Sequence, residues 1–312
     1  MLKYLLSRLA QVPITLLGIV TVVFIIVRLM PGDPVAAYLG EMATADSIAA
    51  MEAKLGLDKP LYLQYLETLV GTFTGNFGQS FVTGRSVTEE ILYVVPNTVV
   101  LAVAAILISS VAGVLAGIVS ALKLNRPVDY VVMSLSILGV SMPVFWLGLM
   151  LLIVFSYQLD LFPVTGVATG PSWIKQLHAL FLPALALGFL FMAIVARITR
   201  STMAEVLHLD FIRTVRAKGA TDRLVFKHAL RNAMIPIVTV IGLNIGIILA
   251  GAVLTETVFA RPGIGKLLVD SVLAKDYPLV QGIVLLIGVN YIFVNLTVDI
   301  LYAYLDPRIK YG

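Results

Sequence analysis

Six apolar runs, each long enough to cross a lipid bilayer as a helix, decide what this chain can become. They fall at about residues 9–30, 98–122, 131–157, 179–198, 237–259 and 281–305. The first, Leu9 to Met30, makes about 33 Å of helix at 1.5 Å per residue, the thickness of a hydrocarbon core. Hydrophobic residues form 59% of the 312 and charged residues only 13%, so a water-soluble fold would lack the polar surface to cover its own core. The pattern predicts an all-α integral membrane protein with six transmembrane helices in a single domain, residues 1–312. Lys3 and Arg8 give the first run the look of a secretory signal, but it is too long for one. No small-residue cleavage site precedes "MPGDP" at 30–34, so it reads as a retained span.

Orientation follows from Lys and Arg in the loops. Lys3, Arg8, Lys123, Arg126, the eight from Arg197 to Arg231, Arg308 and Lys310 place fourteen on one side, against eight spread through longer, acid-matched loops on the other. Both termini and the loop 200–235 are therefore expected in the cytoplasm. The longest external segment, residues 31–95, carries Ile48, Met51 and Leu55 at helical spacing before Gly56, then Leu61, Tyr65, Leu66 and Leu69. These predict short helices on the outer face of the bundle. Asn97 or Thr98 after Pro96 is expected to open the second span, Pro183 lies in the opening turns of the fourth, and Pro143 should kink the third. Gly113 with Gly117, and Gly242 with Gly246, are spaced for close helix packing.

Most chemistry is excluded by what is missing. The chain has no cysteine, hence no disulfide, thiolate metal site or thiol nucleophile. In "RPGIGKLLVDS", residues 261–271, Ala260 and Leu267 stand where a phosphate-binding loop needs Gly and a hydroxyl, so the segment reads as a turn. His178, His208 and His228 fall on separate loops, and no metalloprotease or nucleophile-elbow motif occurs. No cofactor or metal is expected on this chain. Arg28, Glu256 and Asp299 lie near span ends, where snorkelling or capping accounts for them. A secondary carrier or channel working without nucleotide is one reading of such a chain, but a coupled carrier wants midplane carboxylates, and the middle spans offer only hydroxyls and amides such as Ser134, Ser136, Ser141, Asn244 and Asn290. Of these, Ser141 and Asn244, with Glu256, are the candidates for a solute pathway or gate. The basic residues flank apolar runs without interleaved aromatics, which argues against nucleic acid.

The stretch from Phe211 to Pro236 contains six Lys and Arg. Phe211, Val215 and Gly219 share one helical face, Arg213, Arg216 and Lys218 project elsewhere, and Gly219 with Ala220 should end the helix after about two turns. A second amphipathic piece, Leu224 to Met234, leads to Pro236. A helix so short needs burial against something else to persist.

This stretch, "DFIRTVRAKGATDRLVFKHALRNAMIP", resembles the cytoplasmic EAA loop of bacterial ABC-importer permeases in the form shown by the peptide-importer branch. Along the chain, "MPGDP" at 30–34, "LGLDKPLYLQY" at 55–65, "SMPVFWLG" at 141–148, "LTETVFARPGIGKLLVDS" at 254–271, "KDYPLVQG" at 275–282 and "LDPRI" at 305–309 follow that branch's order. The sequence departs from the general loop in having Arg213-Thr214-Val215 for Glu-Ala-Ala, and Arg231 after Leu230. The resemblance implies the first, B-type permease of the peptide, dipeptide or nickel class, with a type I importer fold. It implies a coupling helix, matched at Phe211, Arg213, Thr214, Arg216, Ala217, Lys218 and Gly219, that fits a groove on a separate ATPase. The implied partners are a second homologous permease, two ATPase subunits that hold ATP and Mg, and a periplasmic or lipid-anchored binding protein, all in or at the bacterial inner membrane. Dipeptides, longer peptides, glutathione or nickel chelates are the solute classes implied.

Overall fold

The structure is a computed structural model that describes residues 2–29, 44–168 and 170–305, with Val35 and Leu39. The motif at 30–34, the tail beyond 305 and the side chain of Asp299 lie outside what is described. Among the described residues helix is the regular element, apart from one isolated bridge between Gln79 and Ser86. In chain order the helices are α1 (Leu2–Leu29), α2 (Ala45–Leu55), α3 (Leu61–Thr74), α4 (Val87–Leu122), α5 (Pro127–Ser141), α6 (Val144–Leu151) with a π-helical continuation (Leu152–Gln158), α7 (Trp173–His208), α8 (Asp210–Ala217), α9 (Asp222–Val258), α10 (Ile264–Leu273) and α11 (Tyr277–Leu305).

Five of these, α1, α4, α7, α9 and α11, are long and apolar enough to cross a membrane, and α5 with α6 and its continuation makes a sixth if counted as one broken span. The kink expected at Pro143 is a full break, with the two halves bent by 110°. Met142 and Pro143 are both extended, at ψ 130° and 135°. Proline drives the residue before it out of the helical region and has no N–H to offer the preceding turn.

Other boundaries moved. α4 begins at Val87 and runs through Pro96, so neither Asn97 nor Thr98 caps it. The Asn97 amide instead donates to the Pro262 carbonyl at 2.8 Å. Pro183 lies well inside α7, and α9 is continuous from Asp222 through Pro236, so the piece from Leu224 to Met234 is the start of the fifth span itself. Packing overrides one missing hydrogen bond in each case. Residues 261–271 are mostly helix rather than turn, since α10 starts one residue after Gly263. The short helices expected within residues 31–95 form as α2 and α3. Thr44 and Ser47 make a capping box on α2, and Gly56 closes it at φ +67°.

The residues fall into two compact units, one built mainly from 1–97 and 262–303, the other from 98–261. In the first, Val20, Val23 and Val27 of α1 pack with Phe81, Tyr277 and Leu285. In the second, α7 is the buried centre. Two-thirds of its apolar window (67%) is buried, against 28% for α9, and Leu180, Leu187 and Phe191 meet Leu101 of α4 and Ile248 of α9. Gly113 and Gly117 let α4 touch the α7 backbone. A Cβ on Gly117 would sit 2.5 Å from the Ala196 carbonyl oxygen. Gly242 is different: among the described residues nothing lies within 4 Å of where its Cβ would be, so it brings no described helices together.

Candidate functional site

The basic stretch folds as a short helix held at one point. α7 ends when Leu209 turns extended, at ψ 149°, and its carbonyl accepts the Ile212 and Arg213 amides that open α8. Asp210 in the first turn and Arg216 in the last complement the helix dipole. Gly219 closes the helix in the left-handed region at φ +82°, with open space around its Cβ position. Its amide donates to Arg216 and that of Ala220 to Val215.

α8 buries one face against its own chain. Ile212 is the anchor, with no exposed surface, set among Ala121 of α4, Met203 and Val206 of α7, and Val225, Ala229 and Ala233 of α9. Val215 packs partly against the same cluster. Phe211 is turned one position away and is 37% exposed. Arg213, Thr214, Arg216, Ala217, Lys218 and Gly219 are exposed with it, so all seven positions named from the sequence form one continuous surface. Within α8, Arg213 pairs with Asp210 at 3.2 Å, and both side chains are largely solvated, which makes the pair worth little.

The socket for Ile212 is braced by a buried ion pair the sequence did not reveal. Asp129, in the first turn of α5, is 1% exposed. It accepts Arg200 Nε at 2.6 Å and Nη2 at 2.7 Å, the Asn125 amide at 2.9 Å and the Ser120 hydroxyl. This forked pair binds the end of α4, the start of α5 and the body of α7 together. Ser120 adjoins Ala121, and Arg200 lies one turn before Met203, so the brace fixes two walls of the socket. Asn125 holds the turn at φ +59°.

Among the described residues the three pathway candidates are not brought together by hydrogen bonds and have separate surroundings. Ser141 is exposed at the end of α5 and donates to the Ile137 carbonyl. Asn244, mid-way along α9, is 7% exposed and its Nδ2 has no partner among the described residues. Glu256 does not snorkel. It has no exposed surface and accepts from Thr98 Oγ1 at 2.6 Å. The Arg261 amide donates to the Glu256 carbonyl at 2.8 Å, and the Arg261 guanidinium donates to the Gly166 carbonyl. Gly166 in turn donates to Phe259 at 2.8 Å. Burial pushes the Arg261 pKa down and the nearby Glu256 charge opposes that shift. This node fastens the loop around Gly166 to the end of α9. A cleft of about 690 Å³ lined by Gln64, Thr68, Gly71, Phe77 and Gln281 lies in the other unit, and none of the three candidates lines it.

The comparisons with known proteins agree over the whole chain. Residues 113–311 match the family described as binding-protein-dependent transport system inner membrane component, and residues 1–102 match its N-terminal counterpart. The di/tripeptide transport system permease protein DppB of Pseudomonas aeruginosa is 43% identical, aligned over 100% of this chain and 99% of that protein. The dipeptide transport system permease protein DppB of Escherichia coli K12 is 40% identical over 100% and 99%. The glutathione transport system permease protein GsiC of Salmonella choleraesuis is 42% identical over 100% of both. A match of this extent, on a chain whose helices are those of a multi-pass membrane protein, leaves one conclusion: this chain belongs to the family of inner-membrane components of binding-protein-dependent transport systems, and is a permease subunit of an ABC importer, not its ATPase.

Proposed function

We propose that the chain forms half of the translocation pathway for small peptides or related solutes, and that α8 is the coupling helix through which a separate cytoplasmic ATPase drives alternating access. The observation that carries this reading is the anchored helix with seven exposed positions, Phe211 and Arg213 to Gly219 without Val215, standing over the single buried Ile212. A surface of that kind transmits force when a partner grips it, because its anchor sits among α4, α7 and α9 at once. The second half of the pathway is a homologous permease, two ATPase subunits carry ATP and Mg, and a periplasmic or lipid-anchored binding protein delivers the solute. The excess of Lys and Arg on the α8 side supports placing both termini in the cytoplasm. The relatives named for dipeptides and glutathione support the solute class. Ser141 and Asn244 are offered as pathway residues. Glu256 is offered as a gate, since opening at that end would require Thr98 or Arg261 to part from it.

The test is transport by the reconstituted complex carrying Arg216→Glu or Gly219→Val. Reversing the charge at Arg216 removes a cation from the gripped surface. Valine at Gly219 must adopt a left-handed backbone at a cost of about 1–2 kcal/mol, which loosens the end of α8 without steric clash. Both are expected to abolish or severely reduce transport while insertion and assembly of the membrane subunits persist. Unchanged transport, or loss of insertion, would count against the coupling role.

A further inference from the structure

The amphipathic order of α3 is reversed. The side it turns inward carries Gln64, Tyr65, Thr68 and Thr72, with Leu69 as its apolar member, all buried or half-buried. The side it turns outward is apolar: Tyr62, Leu66, Val70 and Phe73 are 65%, 50%, 62% and 64% exposed. Their spacing puts them in one stripe. A helix lying in water presents the opposite arrangement.

Two of the inward polar groups, on Tyr65 and Thr68, meet the long helices α1 and α11. Tyr65 Oη and Thr21 Oγ1 of α1 are 2.7 Å apart, and Gln281 Nε2 of α11 donates to Thr68 Oγ1 at 3.1 Å. Gln64 donates to the Leu57 and Lys59 carbonyls. These contacts also give depth. Thr21 lies eight residues before Leu29, where α1 ends, a drop of about 12 Å at 1.5 Å per residue. Phe24 meets the Tyr65 ring edge-on at 5.4 Å. The helix therefore runs beside α1 below its end, rather than resting on top of it. The outward surface of α1 is also apolar, with Leu17, Val22, Ile25 and Leu29 exposed.

We propose that α3 is an interfacial helix sunk into the leaflet at the Leu29 end of α1, with lipid acyl chains against Tyr62, Leu66, Val70 and Phe73. Lipid fits better than a protein partner because the stripe continues the exposed apolar surface of a spanning helix. Charge appears only at its flank, where Lys59 pairs with Glu67 and both stay solvated, as at a headgroup boundary. The segment is thus part of the membrane domain rather than a lid in water. The inference needs only that α1 crosses the membrane, and is independent of the coupling role of α8.

The chain has no cysteine, so single cysteines report on it without background. Leu66→Cys, Val70→Cys and Phe73→Cys, with Glu67→Cys as the headgroup-side control, are placed in the complete complex in lipid nanodiscs. A membrane-impermeant maleimide is expected to label the control, with loss of labelling at the other three. Nitroxides attached there before reconstitution are expected to collide with oxygen but not with a water-soluble nickel chelate. Maleimide labelling of Val70→Cys equal to the control would overturn the proposal in favour of a lid in water. A nitroxide shielded from both oxygen and nickel would overturn it in favour of a protein partner. Should one variant fail to insert, the remaining two read out the same result.

Discussion

Replacing Arg200 by alanine is expected to destabilise the protein by about 3 kcal/mol, the low end of the cost of breaking a buried ion pair, since the Arg200 side chain is itself 27% exposed. The reason is the state of its partner. Asp129 is 1% exposed, so without Arg200 its charge stays in place with only the Ser120 hydroxyl and the Asn125 amide to stabilise it. The double variant Arg200→Ala with Asp129→Ala should recover part of the loss, since no orphaned carboxylate remains. Thermal unfolding of the purified subunit complex in lipid checks both. A single variant that melts like the parent would mean that the pair contributes no more than an exposed one.

The second large effect is expected at Gly117. A Cβ there meets the Ala196 carbonyl oxygen and the Thr199 Cβ, each at 2.5 Å. Neither is the free end of a flexible side chain, so even Gly117→Ala must push α4 off α7. Overpacking of this kind costs about 1–3 kcal/mol, and Gly117→Val should cost more. Gly242→Ala is the matched control. With nothing within 4 Å of its Cβ position, it should leave the melting temperature unchanged or raise it slightly. A Gly117→Ala protein as stable as Gly242→Ala would show that the α4–α7 contact is looser than its geometry indicates.

What could be read in advance, and what could not, has a physical pattern. Backbone signals were legible one residue at a time. Gly56 and Gly219 stop helices because they take left-handed φ values, and the break before Pro143 follows from the chemistry of proline. Helix ends beyond the apolar runs were hidden. α7 continues ten residues past Ile198, and α9 begins fifteen before Ile237, since hydropathy marks where a helix leaves the lipid but not where it stops. The residue that anchors α8 to its own chain was hidden. Phe211 and Ile212 are both apolar, and only the walls supplied by α7 and α9 choose between them.

Pairings distant in sequence were also hidden. Asp129 and Arg200 are 71 residues apart, and Thr98 and Glu256 are 158 apart. The lone acid in a basic loop at "LNRPVDY" was the available hint for the first pair, since a carboxylate among cations has partners within reach. Nothing comparable marked Thr98. The two Gly pairs looked alike on paper, yet the first of them meets a neighbouring backbone while Gly242 meets none. Whether a glycine is a contact depends on what faces it, which local spacing does not encode.

The central claim is that the exposed surface of α8 is held by the ATPase while Ile212 stays within this chain. The most direct test is a photoreactive residue substituted at Arg216 in the assembled importer, with the same residue at Ile212 as its counterpart. An adduct is expected between position 216 and the ATPase subunit, with adducts from position 212 confined to this chain. An importer that remains active, yet gives only lipid or self adducts from position 216, would contradict it.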